Sequence, residues 1–313
     1  MCPTEDEAEE ALESRKLKGV VDPASVWRIP RELAGQFRYR LNSRTHWQEW
    51  KYVEDEDQNA PLFHTYEQTI NAPPLAFAIE GFLQEDGVTF IGGPSGHGKT
   101  LIMLSMARAL LNGTPLFGYE KFEARVSEKV IYLVPESSLT PFVHRLKLFG
   151  LLDAVQEGRF LYRTLSAAGQ VNLQDTRLLE AVKGADVFLD TAVRFAEGEE
   201  NSASDNRVFA QNLFALLRAG ARTVTGAHHS PKGFVNQEAI NLENALRGSG
   251  DIGAMLTTAW AVQQVDMEAN RIYVKNVKPR DFQPCQPFEI EGRPHIDKEG
   301  DFKMVTLPGS AKS

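Results

Sequence analysis

Gly93-Pro94-Ser95-Gly96-His97-Gly98-Lys99-Thr100 decides the fold. The stretch fits the pattern G-x-x-x-x-G-K-[ST] at every fixed position. The apolar run Val88-Thr89-Phe90-Ile91 leads into it, and Leu101 to Leu111 leads out as an apolar helical run. A strand before the loop and a helix after it is the context in which such a loop cradles phosphate. Its glycines let the backbone curl until the N–H groups point inward at phosphate oxygens, and the helix adds the positive end of its dipole. Gly93, Pro94, Ser95, Gly96, His97, Gly98, Lys99, Thr100 and Leu101 are the expected nucleotide-binding set. Lys99 reaches for the β- and γ-phosphates, and the Thr100 hydroxyl is placed for Mg²⁺.

Working outward, the chain of 313 residues is long enough for one large α/β domain with appendages. It is 42% hydrophobic and 24% charged, the make-up of an ordinary globular protein. A net charge of −8 argues against a surface coated for nucleic acid, though not against a local basic channel. Cys2 and Cys285 stand far apart and imply neither a disulfide framework nor a metal cluster, so a reducing, cytoplasmic setting is expected. The acidic start, with Glu5-Asp6-Glu7, lacks the basic beginning and apolar core of a secretory leader. No apolar run approaches the about 20 residues of a membrane helix.

Three regions are expected: an N-terminal arm over 1–70, a nucleotide-binding domain over 71–295, and a strand and tail over 296–313. Within the arm, Arg15 to Lys51 interleaves basic residues with Trp27, Phe37, Tyr39, Trp47 and Trp50. Such a segment can stack on a nucleic-acid strand, anchor a partner protein through residues 15–52, or pack on its own domain or a neighbour. From Val88 onward, apolar strands alternate with helical stretches, which reads as a mainly parallel twisted sheet flanked by helices. After Thr257 the strands around Trp260, Arg271–Lys275 and Phe288–Ile290 are too close for helical crossovers, so antiparallel pairing is expected there.

Ligands of open α/β sheets bind at the C-terminal ends of the strands. Asp190 closes Val187-Phe188-Leu189-Asp190 and is the expected second Mg²⁺ residue. Glu136 follows Val134-Pro135 and can polarise the water that attacks a γ-phosphate. His228-His229 ends the next strand, where a polar residue can sense that phosphate. Adjacent strand residues point to opposite faces, so the pair does not form a metal site by itself. Arg247, in Leu246-Arg247-Gly248-Ser249, and Lys275, Lys278 and Arg280 are candidates to reach another subunit's nucleotide.

In this order the motifs resemble the RecA-like superfamily of ATPases, and most closely its RepA-type branch of hexameric replicative helicases and related mobile-element ATPases. The likeness runs from about Pro73 to Ile290 and rests on Ile79-Glu80-Gly81, the phosphate loop, Val130 to Ser138, Val187 to Phe195, His228 to Gly233, Arg247-Gly248-Ser249 and Lys275-Asn276. It implies a RecA-like P-loop core that hydrolyses ATP with Mg²⁺. Glu136 would activate water, Asp190 would position Mg²⁺, His228 and His229 would read the γ-phosphate, and Arg247 would act across a subunit boundary. It further implies a homo-oligomer, a hexameric ring, acting on single-stranded DNA as a helicase or replication ATPase. Two departures stand out. Ser137 follows Glu136 where the family carries an acid or amide, and Lys278-Pro279-Arg280 breaks the usual spacing. A nucleotide-gated switch that recruits a partner without motor action is the rival reading.

Overall fold

The computed structural model describes residues 37–41, 48–52, 63–167, 171–196, 203–230, 239–246, 250–292 and 302–306. The chain separates into two units, Met1–Ala72 and Pro73–Ser313. In the first, β1 (Phe37–Leu41) pairs antiparallel with β2 (Gln48–Tyr52), Phe37 opposite Tyr52. This hairpin was not expected, although Phe37-Arg38-Tyr39-Arg40-Leu41 alternates with the period of a strand. A short helix, α1 (Tyr66–Ile70), follows a capping box built by Thr65 and Gln68.

The second unit opens with two short antiparallel strands, β3 (Phe77–Ile79) and β4 (Leu83–Gln84). Next come β5 (Val88–Gly93), α2 (Lys99–Asn112), β6 (Lys129–Val134), α3 (Leu139–Leu148), α4 (Leu152–Gln156) and β7 (Phe160–Thr164). After them lie α5 (Thr176–Ala181), β8 (Ala185–Leu189), α6 (Ala203–Arg218) and β9 (Thr223–His229). The chain ends in α7 (Leu242–Ala245), α8 (Gly250–Met255), β10 (Thr258–Asp266), β11 (Arg271–Pro279), β12 (Phe288–Gly292) and β13 (Phe302–Thr306).

The main sheet has nine strands in the order β13-β12-β11-β10-β5-β9-β8-β6-β7. Pairing is parallel from β10 through β5, β9, β8 and β6 to β7. It is antiparallel from β10 through β11 and β12 to β13. The mainly parallel sheet with antiparallel C-terminal strands is the fold class the sequence implies. The strand around Trp260 also joins the parallel part, because α7 and α8 carry the chain across before β10 runs beside β5. The Lys275-Asn276-Val277-Lys278 stretch, expected at a strand end, lies inside β11.

Both faces of the parallel strands are covered, so these strands read as unbroken apolar runs. Along β6 the side chains alternate between two cores: Val130, Tyr132 and Val134 pack with α2 and α3, Ile131 and Leu133 with the α6 side. Trp260 is fully buried, stacks on Phe82 at 4.1 Å, and donates its indole N–H to the Phe82 carbonyl at 2.9 Å. That contact ties the turn between β3 and β4 to the middle of the sheet.

Candidate active site

The loop between β5 and α2 turns through left-handed backbone at Gly96 (φ +81°) and Gly98 (φ +84°). Gly98 is constrained twice, since a Cβ there would also lie 2.3 Å from the Ile272 Cδ1. The loop is pinned sideways to β10, where the Gln264 backbone N–H donates to the His97 Nδ1 at 3.0 Å. Partial burial and the nearby Lys99 charge lower the His97 pKa, so this acceptor stays unprotonated near neutral pH.

Lys99, the first residue of α2, is only 6% exposed. Its ammonium donates to the Gly93 and Pro94 carbonyls, both at 2.8 Å. Burial pushes its pKa from 10.5 down to about 8, against the opposing pull of the Asp190 and Glu136 carboxylates. Lys99 thus folds back over the loop whose phosphate it is expected to bind.

Asp190 follows directly on β8 and is 7% exposed. Burial raises its carboxyl above the ordinary range, and hydrogen bonds from Thr100 and Tyr132 with the charges of Arg145 and Lys99 oppose this. The hydroxyl of Tyr132, a fully buried residue of β6, donates to Asp190 Oδ2 at 3.0 Å. Sequence reading missed Tyr132. Its signal was a phenol inside the otherwise aliphatic run Val130–Val134, where a buried hydroxyl needs a partner. Thr100 and Asp190 together offer a hydroxyl and a carboxylate, the hard oxygen donors that suit Mg²⁺.

Glu136 lies just beyond β6 and forms an ion pair with Arg194, from the short 3₁₀ turn Ala192–Phe195 after β8. Partial burial raises the Glu136 pKa, but the Arg194 hydrogen bond and the charges of Arg194 and His229 outweigh it and hold the carboxyl below its ordinary value. Sequence reading gave Arg194 no role. His229, half-buried at the end of β9, is near enough for its charge to act on Glu136. His228 is different: it is 2% exposed, stacks on Phe90 at 5.4 Å, and its Nδ1 donates to the His229 carbonyl at 2.9 Å.

Lys99, Thr100, Asp190, Glu136 and His229 therefore come together at one edge of the sheet. The late basic residues do not join them. Lys275 donates to the Ile240 carbonyl at 2.7 Å, Arg280 to that of Ala254 at 3.0 Å, and Lys278 to that of Gly253. Arg247 lies outside the described residues. Among the described residues no group of three or more His, Cys, Asp or Glu side chains is arranged to hold a metal ion, and no helix is long and apolar enough to cross a membrane.

A phosphate loop on the central strand, faced by a buried Asp and a strand-end Glu, defines a P-loop nucleotide-binding domain. A family model described as AAA domain matches residues 61–234, more than half of the chain, and the protein belongs to that family. No curated protein matches the sequence. Among solved structures, a KaiC-like protein of Pyrococcus horikoshii aligns at 14% identity and TM-score 0.48, covering 73% of this chain and 93% of its own. The flagellar accessory protein FlaH of Methanocaldococcus jannaschii aligns at 12% identity and TM-score 0.46, covering 71% and 91%.

Proposed function

We propose that this protein is a Mg²⁺-dependent ATPase of RecA-like type. One observation carries the reading: the segments after β5, β6 and β8 bring Lys99, Thr100, Glu136 and Asp190 to the same sheet edge. Thr100 and Asp190 are the residues to hold Mg²⁺, and the burial of the Asp190 carboxylate favours a cation beside it. A Mg²⁺ ion held there would supply charge neutralisation for the phosphates of the nucleotide.

The chain's own groups account for the rest. The loop N–H groups and the α2 N-terminus hold the phosphates. Lys99 exchanges its two carbonyl partners for phosphate oxygens and stabilises the charge that builds on them. Glu136, ionised at neutral pH, accepts a proton from the water that attacks the γ-phosphorus. The bond to the β–γ bridging oxygen breaks, and ADP and inorganic phosphate leave. His229, beside Glu136, is the member of the histidine pair placed to respond to the γ-phosphate.

The motif order, with its likeness to RepA-type helicases, supports movement along single-stranded DNA by a hexameric ring. Arg247 is then the cation offered to a neighbour, since Lys275, Lys278 and Arg280 are held by carbonyls of their own chain. ATP hydrolysis measured with and without single-stranded DNA, beside a mass measurement with nucleotide bound, tests this. DNA-stimulated turnover by a ring is expected. A monomer indifferent to DNA in every nucleotide state would remove the motor and leave the switch.

A further inference from the structure

A cavity of about 250 Å³ lies against the back of the phosphate loop. Pro94, His97, Ser230, Ile240, Ala245 and Ala261 are among its walls. Ile240, Ala245 and Ala261 belong to the core on the α6 side of the sheet, whereas α2, whose N-terminus receives the phosphates, packs in the other core. The cavity is therefore set off from the path of the nucleotide. Its frame holds it open. A Cβ on Gly92 would lie 2.4 Å from the Ala245 carbonyl oxygen, so the end of α7 already touches β5 and the walls cannot close further. Lys275 and Asn244 fix the same segment through the Ile240 and Ala239 carbonyls, at 2.7 and 2.8 Å.

The walls define the chemistry of the occupant. The volume is below the about 300–1,000 Å³ of drug-sized sites, which leaves room for one ring but not for a whole nucleotide. Most of the lining is apolar, and among the described residues no charged side chain lines it. A charged ligand would stand there unpaired. His97 supplies a donor. Its Nδ1 accepts the Gln264 N–H at 3.0 Å and burial keeps the ring neutral, so the proton sits on Nε2. The Ser230 hydroxyl can accept as well as donate. The Asn244 amide is engaged at both ends within its own segment and does not compete. A neutral ring amide, with its carbonyl beside an N–H, matches His97 and Ser230 together.

We propose that this cavity binds a small neutral ring amide, of the kind a pyrimidine base carries, and that its occupancy tightens nucleotide binding at the phosphate loop. The link is the Gly93 carbonyl. It accepts from the Ser230 backbone N–H at 3.2 Å and from the Lys99 ammonium at 2.8 Å. Gly93 and Pro94 both line the cavity. A ring packed against them braces the loop in its curved form, so less ordering is left for the nucleotide to impose. The ring arrives either as a free base or within a single strand. The inference needs the loop to hold a nucleotide; it does not need hydrolysis.

The test is saturation-transfer NMR of uracil on the full chain, paired with titration of a fluorescent ATP analogue in the presence of Mg²⁺. Uracil should give a signal, and benzoate, a charged single ring, none. At saturation uracil should lower the Kd of the analogue at least about fivefold, and by linkage the analogue should tighten uracil by the same factor. Ala261→Val narrows the cavity and should weaken uracil at least about tenfold, while the Kd of the analogue without uracil stays within about twofold of wild type. Ser230→Ala, which adds no volume and so guards against a misfolded valine variant, should weaken uracil about fivefold through the loss of one hydrogen bond. A dT oligonucleotide that displaces uracil assigns the ring to a strand; one that leaves uracil in place assigns it to a free base. Uracil binding unchanged in both variants, equal binding of benzoate, or displacement of the analogue by uracil overturns the proposal. A chain that binds uracil but not the analogue would keep the cavity assignment and remove the nucleotide reading of the loop.

Discussion

The Tyr132 hydroxyl donates to Asp190 Oδ2 at 3.0 Å, from a buried position on β6 to the end of the neighbouring β8. The ring that carries it stacks on Phe188 at 5.6 Å and 12°. Phenol and carboxylate thus hold each other in a fixed place, with the Thr100 hydroxyl on the same acid. Tyr132→Phe keeps the ring packing and removes only the donor. A hydrogen bond to a charged group is worth about 1.5–3 kcal/mol, so half-saturating Mg²⁺ for hydrolysis should rise at least about tenfold, with a smaller loss in kcat. A magnesium titration unchanged by the substitution would show that Tyr132 does no more than fill the core.

Lys99 gives the site its expected pH dependence. Burial lowers its pKa to about 8 from 10.5. Between those values the unfolded chain holds the proton and the folded chain has released it, so the fold gains stability as pH rises through that window. The penalty for burying the charge is fully present below it. Nucleotide binding needs the charged form. Accordingly kcat/KM for MgATP should fall above about pH 8, while kcat, governed by a Lys99 already beside phosphate, stays level. Lys99→Arg should move the fall out of the accessible range. Lys99→Ala should cut turnover about 10²–10³-fold without unfolding the protein.

Glu136→Gln separates binding from chemistry. The amide keeps the shape of the side chain and removes the proton acceptor, so hydrolysis should drop by about 10²–10⁴-fold. MgATP affinity should hold within about threefold, because the phosphates are gripped by the loop and Lys99. Single-turnover kinetics with labelled ATP would read both. A variant that hydrolyses at the wild-type rate would move the base elsewhere at the sheet edge.

The parts of the site legible in the sequence are those fixed by local pattern. The loop declares itself because backbone curvature demands glycine where Gly96 and Gly98 stand. Asp190 and Glu136 stand out as candidates because each follows a buried apolar run at the C-terminal end of a strand, where ligands of such sheets bind. What the sequence could not disclose are pairings between distant segments: Tyr132 with Asp190, Arg194 with Glu136, the Gln264 N–H with His97. None has a spacing rule, since sheet order and not sequence distance brings them together. The same holds for β10, whose parallel register beside β5 depends on the crossover through α7 and α8. The histidine pair shows the limit from the other side. Two identical adjacent residues diverge because alternation along β9 buries His228 against Phe90 and leaves His229 half-exposed near Glu136.

Asp186 shows that an acid on the same strand as a candidate metal residue can be wholly structural. It opens toward the N-terminal end of β8, is 0% exposed, and accepts from the Thr223 hydroxyl at 2.8 Å. The Arg222 guanidinium closes on it as a fork, with Nε at 3.1 Å from Oδ1 and a second contact from Nη2 to Oδ2. The same guanidinium reaches the Arg125 and Val126 carbonyls at 3.4 Å, so it also ties the segment before β6 to β8. Removing one member of such a pair leaves a buried charge uncompensated, at a cost of about 3–5 kcal/mol. Arg222→Ala should therefore lower the unfolding free energy by that amount, read in urea as a lower midpoint with an unchanged slope. Arg222→Lys should recover only part of it, because an ammonium cannot grip both oxygens in parallel. MgATP affinity per folded molecule should stay at the wild-type value, since Asp186 lies at the opposite end of β8 from Asp190. A substitution that spares stability but weakens nucleotide binding would place Asp186 in the site after all.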